Sequence, residues 1–314
     1  QADAALGTLH QHTALEWINT SANLWRERQG NLSLSIREDA SLGDRYRDKH
    51  NRFILDDFNC LMFAEDGRML ANWQGAPSHG LCRLWGIDIE PTVISVLYAI
   101  PEIGPSAVRY MLTRSVPRFS IYSDHSMPIY IAPLAMAGKY LELTGDIAFF
   151  RDNRDVLDGL ARHVEGIMAH KHKDKALFSS RYASDLIVFR KYDYSTNVKC
   201  FYALASWARI LRGLGQDASE IEALLAKMLE EIGVTMGADC PFGRKITGGN
   251  NLGESLDERF YIPDDIFYYG VEDSFTCLAP LYGLYGFDYA PWQNRHRYAQ
   301  SMFITNYDPE YQSM

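Results

Sequence analysis

Between Asp152 and His170 the apolar side chains return every three or four residues: Val156, Leu157, Leu160, Val164, Ile167 and Met168. A stripe at that spacing buries cleanly only as one face of an α-helix. The same beat recurs along the chain, and it constrains the fold more than any single motif does. It predicts helices over residues 9–28, 43–63, 91–100, 105–115, 128–143, 152–170, 197–212, 217–232, 271–285 and 292–304. Gly30-Asn31, Thr144-Gly145 and Gly213 supply stops, and Asp217 with Glu220 matches a capping pattern. Only Leu32 to Ile36 alternates like an extended piece. The fold class is therefore all-α, with a linker helix and short extended segment over 1–36 and one helical domain over 37–314.

The connections come in two kinds. Short ones, such as Pro101 to Gly104, join hairpin partners. Long ones run from Gly67 to Arg83, Val116 to Met127, Lys171 to Asn197 and Gly233 to Gly270, and they are rich in Trp, Tyr, His, Asp and Arg. Long connections without structure of their own usually carry function. The helices follow no TPR or HEAT consensus, so a solenoid is not indicated. Helices paired around a ring would put all the long loops on one rim.

Composition narrows the chemistry. The 314 residues are 47% hydrophobic and 23% charged, enough for one large domain. A net charge of -9 argues against nucleic acid and anionic membrane as main partners. Nineteen Tyr and six Trp make a high aromatic share; most are expected in the core, but such side chains also line carbohydrate clefts, offering a flat apolar face with a polar tip. The five cysteines are scattered without a CxxC, which reads as free thiols. No apolar run approaches a membrane span of about 18 residues. No metal constellation stands out and no cofactor is expected; Gly243 to Asn251 lacks phosphate-loop spacing and reads as a mobile loop or lid.

The densest polar cluster is Arg83-Leu-Trp-Gly-Ile-Asp-Ile-Glu-Pro91, at the mouth of the helix predicted from Pro91. Trp85 could stack on a sugar ring while Arg83, Asp88 and Glu90 take its hydroxyls. Equally, Asp88 and Glu90 could simply favour the positive end of a helix dipole. Trp73 and His79, in the preceding loop, are further candidates to touch a substrate. Asp185 lies in an apolar run after a His/Lys loop, as a loop carboxylate or an Asx turn. Glu272 and Asp273 open a predicted helix, where dipole compensation competes with chemistry. His163, His170 and His172 with Lys171, Lys173 and Lys175 read as a basic helix end.

Several of these segments resemble the (α/α)6-toroid, or six-hairpin, glycosidases: the trehalase, processing α-glucosidase, debranching and maltose-phosphorylase-like families. Arg83-Leu-Trp-Gly-Ile-Asp88 followed by Pro101-Glu102 is similar to the Trp-Asp opening of an early barrel helix, although the Trp-to-Asp spacing differs. Met127-Pro-Ile-Tyr-Ile131 running to Leu143-Thr-Gly-Asp146 resembles the helix ending in a TGD turn. Ser184-Asp185 and Tyr194-Ser-Thr-Asn-Val198 resemble the acid-bearing mid-chain loop and its following helix. Phe260 to Asp264 and Glu272-Asp-Ser-Phe275 up to Gly283 resemble the late segment.

The resemblance implies a toroid, incomplete at the C-terminal end or completed otherwise. It also implies a carbohydrate substrate and hydrolysis by inversion, which needs two carboxyl groups across the scissile bond. Asp185 would be the general acid. Asp88 with Trp85 would anchor the sugar, or Asp88 would itself be the acid. Glu272 or Asp273 would be the base. Rival readings are a phosphorylase of the same fold, a sugar epimerase or lyase, and a non-catalytic carbohydrate-binding or assembly domain.

Overall fold

The computed structural model describes residues 60–72, 86–114, 126–179, 191–254 and 279–303, with isolated helical positions between 16 and 58. Among the described residues the chain is mainly helical. The delimited helices are α1 (Gly86–Leu97), α2 (Gly104–Arg114), α3 (Ser126–Thr144), α4 (Ile147–Asp152), α5 (Arg154–Met168), α6 (Tyr194–Gly213), α7 (Ser219–Thr235) and α8 (Ala290–Phe303), with a 3-10 turn at Pro101–Ile103. Six short strands form three antiparallel pairs. They are β1 (Leu61–Phe63) with β2 (Met69–Asn72), β3 (Tyr192–Asp193) with β6 (Gly249–Asn250), and β4 (Gly237–Cys240) with β5 (Gly243–Ile246).

Burial sorts the helices into two layers. α3 is apolar around its circumference, and Met127, Ile131, Leu134 and Met136 are all fully buried. A helix hydrophobic on every side must lie inside. α6 buries Val198, Cys200 and Leu204, and α1 buries Ile89, Val93, Val96 and Leu97. Each such aliphatic side chain contributes about 1.5–3 kcal/mol of burial. By contrast, α2, α5 and α7 are one-sided; α5 buries Val156, Leu160, Val164 and Ile167 and exposes Asp155, Asp158, Arg162 and Glu165.

Contacts fix the directions. Near the start of α3, Met127 meets Cys200 of α6, with the sulfurs 3.7 Å apart. Further on, Gly138 of α3 lies against Ser206 of α6. Both contacts advance together, so α3 and α6 are parallel. Late in α3, Lys139 Nζ donates to Tyr98 Oη just past the end of α1, at 3.1 Å, which makes α1 parallel as well. The outer helices run back. Gly104 opens α2 against Tyr140 near the end of α3. His163, late in α5, reaches the Tyr130 carbonyl early in α3. Arg212 at the end of α6 pairs with Glu222 at the start of α7. The result is three successive α-hairpins, α1/α2, α3/α5 and α6/α7, whose inner helices share one direction.

The inner layer depends on close approach. A methyl at Gly138 would overlap the Ser206 side chain and stand 3.2 Å from its Cα. Only glycine lets the two backbones come this near.

Several expectations are corrected. The helix predicted over 43–63 gives way at its end to β1, because Asp66-Gly67 closes a hairpin; Gly67 has φ +77° and Ala64 N–H donates to the Arg68 carbonyl at 2.8 Å. Pro91 lies inside α1, not in its first turn, because the helix begins at Gly86 and so brings Glu90 onto its buried face. The helix predicted from Asp152 starts at Arg154. Before it stands the unforeseen α4, capped by Asp146, whose Oδ1 accepts the Phe149 N–H at 3.0 Å. Asp217 accepts the Ser219 N–H, but the N-cap position of α7 is Ala218, without a side-chain cap. Residues 279–285, expected to be helical, form turns: Pro280 breaks the helix, and Gly283 and Tyr285 take positive φ. The supposed lid at 243–251 is β5 and β6, with Ile246 and Lys245 buried and the Ile246 carbonyl taking a bond from Arg295 at 3.0 Å.

Candidate functional site

Because the inner helices are parallel, their N-terminal ends lie at one end of the molecule. Residues 73–85 lead into α1, 115–125 into α3, and 180–190 into β3 and α6. The N-terminus of α6 is the best defined. Asp193 caps it, accepting the Thr196 N–H at 2.8 Å and the Ser195 hydroxyl at 2.6 Å. The Asn197 amide bonds both backbone groups of Phe178 and the carbonyl of Asp193. The segment through Phe178 and the start of α6 are thereby held as one piece, with every member buried.

Beneath this end lies a buried charge pair. Glu90 of α1 is 0% exposed; its Oε2 takes a bond from Lys199 Nζ of α6 at 2.7 Å. Its Oε1 accepts the Tyr282 hydroxyl at 3.1 Å. Tyr282 packs edge-on against Tyr202, with centroids 5.0 Å apart. Burial first, then the Glu90 carboxylate, holds the Tyr282 phenol far above its ordinary range, so it stays protonated and donates to Glu90. One carboxylate thus ties α1, α6 and the 279–285 turns together.

Of the residues singled out from sequence, Trp73, His79, Arg83, Trp85, Asp185, Glu272 and Asp273 lie outside the described residues. Asp88 is in the first turn of α1, and only its backbone is described. Of the residues expected to touch a substrate, Glu90 is the one whose side chain is described, and it is a buried brace. Trp207 and Tyr285 pack against the core. Among the described residues no three His, Cys, Asp or Glu are placed to hold a metal ion, and no helix is long and apolar enough to cross a membrane.

A second feature was missed from sequence. The basic residues after α5 line a cleft of about 830 Å³ whose opposite wall is Lys191, Tyr192, Leu252 and Glu254. Glu254 receives Tyr192 Oη at 2.8 Å and pairs with Lys191; His172 Nε2 stands 3.8 Å away. Those hydrogen bonds from Lys191 and Tyr192 hold the Glu254 carboxyl below its usual range. Burial and Glu254 push the Tyr192 phenol up to about 12. The β3–β6 pairing brings these walls together, and no local pattern announces it. His170 lies near Tyr130 of α3, centroids 6.4 Å apart, so the cleft is at the same end as the inner N-termini. No protein-family model matches the chain, and no curated protein matches it in sequence.

Proposed function

We propose that the chain is a glycoside hydrolase domain built as an (α/α) toroid, cleaving a glycosidic bond of an oligosaccharide or glycoside by inversion. The observation that supports this reading is the parallel inner layer. The N-termini of α1 and α6 lie at one end; in sequence, Trp73, His79, Arg83 and Trp85 precede α1 and Asp185 precedes β3 and α6, while Asp88 is in the first turn of α1. Glu272 and Asp273 precede the turns that reach Glu90 through Tyr282.

In this reading Asp185 donates its proton to the glycosidic oxygen as the bond to the anomeric carbon breaks. Water attacks from the opposite face, and Glu272, with Asp273 beside it, takes its proton. Inversion needs the two carboxyls about 6.5–9.5 Å apart so that the water fits. Asp88 and Arg83 hold sugar hydroxyls and Trp85 stacks on the ring. Glu90 acts here as the buried support of that floor.

The test is to assay Asp185→Asn and Asp88→Asn on aryl glycosides and oligosaccharides. Loss of turnover by about 100-fold or more in Asp185→Asn supports the assignment. Full activity in both variants overturns it. Turnover only with added inorganic phosphate would identify a phosphorylase, and glycan binding without turnover a binding domain.

A further inference from the structure

We propose that the basic cleft between residues 169–179 and the β3–β6 segment binds a phosphate-bearing small molecule. The inference stands apart from the glycosidase reading.

The cleft has rigid walls. On one side, Lys171 and Phe178 are bridged, Ser179 N–H donates to the His170 carbonyl at 2.9 Å, and Leu177 and Phe178 are fully buried. On the other, Lys191 N–H donates to Asn251 Oδ1 at 2.9 Å and Tyr192 pairs with Asn250. A volume near 830 Å³ suits a small organic ligand.

His172 Nδ1 accepts the N–H groups of Asp174 and Lys175, both at 3.0 Å, so in the neutral ring the proton sits on Nε2, which stands 3.8 Å from Glu254 Oε1. Lys175 is paired with Glu231 and Lys191 with Glu254. Among the described residues no carboxylate pairs with Lys171, whose Nζ bonds only the His172 carbonyl, and Lys173 has only the exposed Asp174 at 3.8 Å. The cleft thus carries two ammonium groups, Lys171 and the largely exposed Lys173, with Asp174 and Glu254 as the carboxylates in its lining, on a chain of net charge -9. Such a cleft focuses positive potential, and lysine ammoniums bind phosphate as point charges. Glu254 is held by Lys191 and Tyr192.

Calorimetric titration at low ionic strength, with inorganic phosphate and separately with a hexose phosphate, tests this on the whole chain. Saturable binding is expected, weakened about tenfold or more in Lys171→Gln/Lys173→Gln. Lys227→Gln, which removes one exposed positive charge on α7, should leave it unchanged. Tighter binding of the ester would assign an organic phosphate, and tighter binding of the free anion inorganic phosphate; both support the site. No saturable binding of either probe overturns the proposal. So does equal weakening by Lys227→Gln, which would reduce the effect to overall charge. Unchanged thermal melts of the variants separate lost binding from lost folding.

Discussion

Replacing Lys199 with Met tests the buried brace most sharply. The substitution keeps the aliphatic stem and removes only the ammonium. Lys199 is 4% exposed in its side chain and Glu90 0%, so solvent cannot take over its role. Glu90 would keep the Tyr282 bond at 3.1 Å and lose the partner at 2.7 Å. Stranding one charge of a buried pair costs about 3–5 kcal/mol. Glu90→Gln/Lys199→Met removes both charges while an amide oxygen can still accept from Tyr282, so the double variant should lose about 1–2 kcal/mol. Urea unfolding followed by circular dichroism gives the four corners of the cycle, with unchanged slopes showing that only stability moved. The midpoint should fall most in Lys199→Met and recover in the double variant. A loss below about 1 kcal/mol in Lys199→Met, or a double variant no better than the sum of the singles, would refute the reasoning.

Other consequences are as direct. Gly138→Ala should cost about 1–3 kcal/mol by overpacking α3 on α6, and Ser206→Gly added to it should restore much of the loss in the same assay. Asp193→Ala removes the cap of α6 and should cost about 1–2 kcal/mol, with Asp193→Asn losing less. His163 is buried, and burial lowers its pKa to about 4 from an ordinary 6.5. Its contribution is therefore complete above pH 6.5 and lost as pH falls through about 4, in total about 3 kcal/mol. Thermal melts of His163→Gln between pH 7 and 4 should show a flatter pH dependence than the parent chain.

Helices were legible wherever the apolar stripe was long. Val156 through Met168 gave α5 nearly to its ends, and the run from Met127 to Leu141 gave α3. Strands of two to four residues were not legible, because so few positions cannot establish an alternation against a helical background. β1 continues the preceding helical pattern in sequence, and β5 falls in a Gly-rich stretch that reads as a mobile loop or lid. The site was legible only in part. Glu90 drew attention through its neighbours Trp85 and Asp88, yet its partner Lys199 is 109 residues away. The pairing depends on two parallel helices meeting, which periodicity does not specify. The basic residues after α5 looked like compensation of a helix end because the opposing wall, from Lys191 and Glu254, arrives through tertiary pairing.

The central claim is that the inner helices gather distant acidic and aromatic segments over one sugar. A crystal structure of Asp185→Asn with a bound oligosaccharide measures this directly. The account predicts a sugar ring at the N-terminal ends of α1 and α6, touching Trp85 and Asp88, with the side chain at position 185 within hydrogen-bonding reach of the scissile oxygen. A sugar bound elsewhere, or positions 88 and 185 on opposite sides of the molecule, would contradict it.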